Sequence, residues 1–260
     1  MTTSPAITRK IRSVFTVKDK KYLTPHLIRV VFKIDENQIE LLTNVQSGSN
    51  NKIFIPDHTA DQIPEPAVRI RTYTNRKIDL ENRELTIDFV AHGENSPASA
   101  WAMNAKPGDL LEIGMKESTR PLVPDADFYL LVGDATALPV ISAIAEQLPS
   151  FVTAKVFLEV HGKEDETILC SAADLSVEWL YNPHPEQGSQ LAYLIKSFVF
   201  PKGILKEYVY AATEYTTAKE IRSYFKTELN WDSHGMHVVS YWRAGQSEDE
   251  TSGDRQIQRN

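Results

Sequence analysis

The run Arg69-Ile70-Arg71-Thr72-Tyr73-Thr74-Asn75-Arg76 places three arginines, a tyrosine and two threonines in eight positions. If the run is extended, Arg69, Arg71 and Tyr73 share one face, and Thr72, Thr74 and Arg76 share the other. Such residues suit a solvated strand, because Arg, Tyr and Thr all fit a pleated surface. They also suit an anion that carries a flat ring. Guanidinium forks match phosphate oxygens, and the tyrosine supplies an aromatic plane.

Two further stretches could meet an anion. In "DFVAHGENSPASAW", a turn at Gly93 leads toward a short helix over 96–105, with Ser96 as its cap and Pro97 at its first position. Its first amides, near Ser96, Pro97, Ala98 and Ser99, lack partners within the helix and can face a phosphate. "VGDATALPVI" falls at a strand-to-helix turn, where nucleotide folds carry a phosphate loop. It is not G-x-G-x-x-G, and Asp134 would repel a phosphate set against it. The pair His234 and His237 has a spacing found in metal sites but lacks a third ligand, so no resident metal is expected.

The elements that must position these residues change character along the chain. Up to about residue 124 the sequence reads as β. Short strand-like runs are punctuated by Pro56, Pro64, Pro66, Pro97 and Pro107, with a single helix, which suggests a small closed barrel. Beyond it, "FYLLV", "KVFLEV", "EYVYA" and "MHVVSY" read as strands. The first is followed by a helix with Ala137, Val140, Ile141, Ile144, Ala145 and Leu148 on one face. The last two flank a helix with a capping box from Thr217 to Glu220 and a stripe of Ala218, Ile221, Phe225 and Leu229. Alternating strands and helices imply a parallel sheet. The expected division is 1–124, 125–248, and a polar, frayed tail over 249–260.

Composition narrows the function classes. The 260 residues carry a net charge of -7, which argues against a general nucleic-acid binder. The first ten residues lack the apolar core of a secretory signal, and the most apolar stretch is broken by Gly133-Asp134 and Pro139. Cys170 is the single cysteine, so neither an internal disulfide nor a cysteine-ligated iron–sulfur cluster can form within the chain. The expectation is a soluble cytoplasmic protein that borrows a cofactor for any redox chemistry.

The blocks "RIRTYTNR", "DFVAHG" with "SPASAWA", "VGDATALP", "YVYAATE" and "YWRAG" occur in the order and spacing of the siderophore-interacting protein family. The resemblance spans about residues 8 to 248. It implies a ferredoxin-reductase-like architecture, a Greek-key-type FAD-binding β-barrel followed by a nucleotide-binding-like parallel-sheet α/β domain. It also implies FAD-dependent reduction of ferric siderophores. By that resemblance Arg69, Arg71, Thr72, Tyr73 and Thr74 line FAD. Arg71 pairs with the pyrophosphate, Tyr73 packs on the isoalloxazine, and Thr74 lies near the reactive N5 edge.

Asp88, Phe89 and Val90 then run along the ring, with His92 beside it or beside the ribityl–phosphate chain. Ser96, Pro97, Ala98 and Ser99 supply a second phosphate contact. Thr136 and Ala137 either touch the adenine side or merely start a helix. Trp101 is read as core, while Trp242 either shields the flavin or fills the core. An anionic ferric siderophore needs local cations, for which Arg243, Lys116, Lys52, Lys202 and Lys206 are candidates. The electron donor is a ferredoxin-type protein or NADH/NADPH. Thr213 and Ser240 stand where the family usually has glycine and argue against close approach of a nicotinamide. The alternatives are a general flavin or ferric reductase using reduced nicotinamide and a non-catalytic ferric-siderophore carrier.

Overall fold

Alternation of apolar and polar residues builds the first half. In Leu110–Lys116, for example, Leu111, Ile113 and Met115 are buried while Leu110 and Lys116 are exposed. The computed structural model describes residues 9–57, 67–94 and 96–246. The expected tail at 249–260 and Pro64 and Pro66 lie outside them. Two compact units divide at 122/123, with Thr24–His26 grouped with the second.

The first unit holds seven antiparallel strands: β1 (Lys10–Thr24), β2 (Leu27–Lys33), β3 (Asn50–Asp57), β4 (Ala67–Thr74), β5 (Lys77–Asp79), β6 (Glu84–Val90) and β7 (Leu110–Lys116). Their order is β4-β3-β7-β1-β2-β6-β5. The sheet curls into a half-barrel around Phe15, Phe32, Ile53, Ile87, Phe89, Leu111 and Ile113, each at most 1% exposed. The expected closed barrel is corrected in one respect: among the described residues β4 and the three-residue β5 remain edges. Among the described residues two helices occur rather than one. α2 (Pro97–Asn104) has the expected cap position at Ser96 and proline at its start. α1 (Glu36–Leu42) is too short to show a helical period in sequence, and Gln38 anchors it. The Gln38 carbonyl accepts from the Asp35 amide at 2.9 Å, and its buried amide group donates to Ser13 Oγ and Val14 O.

The second unit is a parallel sheet in the order β10-β9-β8-β11-β12. Its elements are β8 (Phe128–Asp134), α3 (Leu138–Gln147), β9 (Thr153–Val160), β10 (Asp174–Tyr181), α4 (Leu191–Ser197), β11 (Glu207–Glu214), α5 (Tyr215–Ser223) and β12 (Met236–Trp242). β10 and α4 add to the expected elements. β10 is an edge strand, half-buried at alternate positions, and so lacks the continuous apolar run of β8. The helix stripe on α3 is buried as expected from Ala137 to Leu148.

The capping box expected at Thr217 is corrected. Glu214 is the N-cap, and its carboxylate reaches the amides of Thr216 (2.5 Å) and Thr217 (3.4 Å), leaving Thr217 inside the helix. A π-helical turn, Tyr224–Glu228, follows α5 and shifts its register. Ala218, Ile221 and Phe225 are therefore buried while Leu229 is 41% exposed.

Candidate functional site

β4 is the exposed edge of the half-barrel, and its pairing with β3 fixes which residues share a face. Arg69 lies opposite Ile55, Arg71 opposite Ile53, and Tyr73 opposite Asn51. Opposed residues of an antiparallel pair point to the same side. The two arginines and the tyrosine thus share one face, as the extended reading of the run requires. Arg69 is exposed and Arg71 half-buried, with Arg71 Nη1 donating to Ile70 O at 2.8 Å. Val68 and Ile70 leave apolar surface in solvent on the opposite face of the strand.

Tyr73 packs at 4.6 Å on the ring of Phe89, which is fully buried. Thr72 Oγ accepts from Lys52 Nζ, and Thr74 is buried. Cations and an amphipathic ring on one face of an edge strand suit a phosphate-bearing flat ligand in charge and in kind.

The neighbouring residues divide into two sets. Asp88 and Phe89 spend their side chains internally. The Asp88 carboxylate takes a two-pronged bond from Arg29, 2.7 Å at each oxygen, with Arg76 at 3.9 Å, and Phe89 belongs to the core. Any contact they make with a ring must go through backbone. Val90 is half-buried. His92, Gly93 and the start of α2 form the other set. Gly93 has φ +96°, a conformation that favours glycine, and a Cβ there would meet nothing within 4 Å.

The His92 amide donates to Ser99 Oγ at 3.1 Å, tying the turn to the helix start. Part of the His92 ring faces solvent, yet loss of hydration lowers its pKa from the usual imidazole value, against a backbone hydrogen bond that raises it. Ser96 and Pro97 are half-buried, while Ala98 and Ser99 are buried. Trp101 packs on Phe89 and Phe32 in the core, as expected.

In the second unit the turn after β8 is turned inward. Asp134 Oδ1 accepts from both the amide (2.9 Å) and the hydroxyl (2.5 Å) of Thr136, and Oδ2 accepts from the Trp242 indole at 2.8 Å. Ala137 is fully buried. A Cβ on Gly133 would lie 2.6 Å from Ala137 Cβ and from Ile141 Cδ1. This glycine therefore serves close packing of helix on strand.

Beside it, Glu159 accepts from Ser189 Oγ (2.8 Å) and Asn182 Nδ2 (3.1 Å), and Glu214 also accepts from the Ala244 amide at 3.3 Å. Burial pushes the pKa values of Asp134 and Glu159 upward, opposed by these hydrogen bonds, and the charge of Asp134 adds to the rise at Glu159. Sequence reasoning missed Glu159 and Glu214. The only signal of Glu214 was its place directly after the apolar run of β11. Thr213 and Ser240, both flagged in sequence, prove to be register partners across β11 and β12.

The five candidate cations do not form one cluster. Lys52 lies opposite Gly114, two residues from Lys116, so Lys52 and Lys116 share a face of the half-barrel. Lys202 and Lys206 precede β11, at the amino end of the parallel sheet. Arg243 follows β12 at the carboxyl end, with its guanidinium 4.5 Å over the Tyr215 ring. His234 and His237 do not converge either: the His234 side chain is exposed, and His237 stacks on Tyr210.

A curled antiparallel sheet with an arginine–tyrosine edge, followed by a parallel α/β unit, defines a flavoprotein of the ferredoxin-reductase type. The fold alone is shared with ferredoxin NADP+ reductase from Neisseria gonorrhoeae, with TM-score 0.64, 13% identity, and coverage of 88% of this chain and 98% of that one. The siderophore-interacting FAD-binding domain matches residues 16–117, and the siderophore-interacting protein domain matches residues 126–245. The ferric vibriobactin reductase ViuB of Vibrio cholerae is 30% identical over 92% of both chains. The siderophore-interacting protein SipS of Aeromonas hydrophila aligns with TM-score 0.80 and 30% identity, covering 95% of this chain and 98% of that one. The chain belongs to the siderophore-interacting protein family, and its cofactor is FAD. Among the described residues no helix is long and apolar enough to cross a membrane.

Proposed function

We propose that the chain is an FAD-dependent ferric-siderophore reductase of the cytoplasm that releases iron by reducing it. The observation that carries this reading is β4, an exposed edge strand with Arg69, Arg71 and Tyr73 on one face, inside a siderophore-interacting FAD-binding domain. The 30% identity to a ferric vibriobactin reductase supports the substrate class. Arg71, with Arg69, holds the pyrophosphate through charge-assisted bonds. Tyr73, braced by Phe89, sets the plane of the isoalloxazine. Thr72 and Thr74 flank it, and Thr74 reaches the N5 edge through backbone. The turn of His92 and Gly93 brings the first amides of α2 to a second phosphate oxygen.

Bound FAD supplies the redox chemistry, taking up two electrons and returning them singly, so that two ferric ions are reduced per cycle. No side chain has to act as acid, base or nucleophile. Hard anionic oxygens hold ferric iron far more tightly than ferrous iron, so electron transfer by itself opens the chelate. The chain's task is to bind, orient and supply a local field. Against a net charge of -7, an anionic siderophore needs nearby cations. Lys52 and Lys116 share the face of Thr72, which alternates with that of Arg71 and Tyr73, so these two lysines lie on the other side of the sheet from the proposed flavin face. Arg243, Lys202 and Lys206 lie too far apart in the fold to act with one another as a single patch. The donor is a ferredoxin-type protein or a reduced nicotinamide.

The test is anaerobic. The FAD-loaded protein is photoreduced and mixed with ferric catecholate, hydroxamate and citrate chelates or with free flavin, and ferrous iron is trapped by a chromogenic chelator. Rapid, selective reduction of siderophore complexes is expected. Preference for free flavin would favour a general flavin reductase, and tight chelate binding without ferrous iron would favour a carrier; either result overturns the proposal.

A further inference from the structure

Two histidines and two acids converge in the second unit, to which the turn Thr24–His26 belongs. The His26 amide donates to Asp165 Oδ1 at 3.1 Å, and the His26 ring nitrogen Nδ1 lies 2.8 Å from Asp165 Oδ2. His161 sets a second imidazole against the first, with ring centroids 4.2 Å apart. One ligand atom can be taken from each of His26, Glu164 and Asp165 so that all three lie within 4.8 Å of one another. These residues are distant in the chain, so no spacing motif announces them.

A histidine–aspartate latch would explain part of this arrangement, since it ties the turn to the 3₁₀ segment Lys163–Asp165. It does not explain Glu164. Two carboxylates this close repel each other, and one imidazole cannot neutralise both. The Glu164 carboxylate nevertheless folds back onto Gly162, where a Cβ would lie 2.6 Å from each of its oxygens. Gly162 has an extended backbone that any residue adopts, so glycine serves the close approach of the acid.

Thr24 gives an independent sign of a ligand. It is 7% exposed, and its hydroxyl adjoins Asp165 without making a hydrogen bond of normal geometry. A buried oxygen left in this way needs another partner. Burial works to raise the Asp165 pKa, but Thr24 and His26 outweigh it and keep the group below the usual carboxylate range. The acid is thus held in its anionic form.

Two atoms that are each about 2.1 Å from one ion, at right angles, stand about 3 Å apart. Nδ1 and Oδ2 already have nearly that separation, so the proton that joins them can exchange for an ion with little movement. Imidazole mixed with carboxylate suits divalent manganese, iron, cobalt, nickel and zinc. The set holds no thiolate to favour softer ions, and Mg2+ and Ca2+ prefer oxygen alone.

We propose that His26, Glu164 and Asp165, with His161 as a fourth ligand, form a site for a divalent first-row transition ion. Ferrous iron, the product under the reductase reading, is an ion of this class. The site itself does not depend on that reading.

The test titrates untagged, full-length, FAD-loaded protein with Zn2+ by calorimetry and with Co2+ by visible absorption. One ion per chain should bind at micromolar concentration, with d–d bands in the Co2+ spectrum and no competition from excess Mg2+ or Ca2+. Glu164→Gln and Gly162→Ala disturb only the exposed Glu164 side chain, so both should fold normally and weaken zinc binding by about tenfold or more. His234→Ala, at an exposed histidine outside the cluster, should change nothing. Labelling with diethyl pyrocarbonate, read by mass spectrometry, needs no variant: zinc should protect His26 and His161 and leave the exposed His184 and His234 reactive. Binding only at millimolar zinc would overturn the proposal. So would unchanged affinity in both Glu164→Gln and Gly162→Ala, or equal protection of all these histidines.

Discussion

Two turns in this molecule follow a strand and open a helix, and they are built in opposite ways. After β6, Gly93 takes a positive φ and leaves open space around it, and the cations on β4 belong to the same half-barrel. After β8, Gly133 has no spare room, and the acids around it consume the neighbouring donors. An anion site needs donors left over after folding. Carboxylates take the amides of Thr136, Thr216 and Thr217 in the second unit, whereas no described carboxylate takes an opening amide of α2. A strand–turn–helix outline is therefore not evidence of a phosphate site until its donors have been accounted for.

The comparison breaks most visibly if Gly133 is enlarged. Gly133→Ala drives a methyl into Ala137 and Ile141 and should cost about 3 kcal/mol of stability, read by urea unfolding of the purified protein. Unchanged stability would show that the turn is not packed as described. At the open site the loss should fall on the ligand instead. Arg71→Ala should weaken FAD retention by about 1.5–3 kcal/mol, read as flavin content after graded dialysis, with little change in apoprotein melting. Equal flavin content in variant and parent would remove Arg71 from the site.

A smaller effect is expected at the acids. Trp242→Phe removes the indole donor from Asp134 Oδ2 and should cost about 1–2 kcal/mol, with FAD affinity unaltered. An undiminished melting temperature would mean that Asp134 finds another partner.

The smallest effect is a slope with pH. Asp134 and Glu159 have raised folded pKa values, so the native state holds their protons more tightly than the unfolded chain does. The stability they lend is fully present below the unfolded carboxyl value of about 4 and is lost as pH rises through the folded pKa values. Glu159→Gln should therefore gain on the parent as pH rises above that value. Denaturation of both proteins at a series of pH values checks this; a gap that stays constant refutes it.

Much of this was legible in the sequence. The extended arginine–tyrosine run, the Ser96-Pro97 helix start and the apolar strand β8 each carry a local signal that survives folding. The change from a strand-rich to a strand–helix pattern accompanies the change from an antiparallel to a parallel sheet. β10 and α1 escaped because an edge strand and a seven-residue helix bury too little to impose a clear period. The cap of α5 was misread because a Thr-x-x-Glu pattern looks the same whether or not an acid just before it has already taken the amides.

The sequence by itself determined which residues could meet a flavin phosphate and which departures cast doubt on a nicotinamide, since residue type sets charge, hydrogen-bonding capacity and backbone freedom. Only the tertiary structure decided where those capacities are spent. It showed Asp88 committed to Arg29, Lys52 drawn to Thr72, and the candidate cations scattered. It also brought Asp134, Glu159 and Glu214, from three separate strands, around one cleft. Whether a donor or a charge is available depends on its neighbours across the sheet. Those neighbours are far apart in the chain, so no local pattern reveals them.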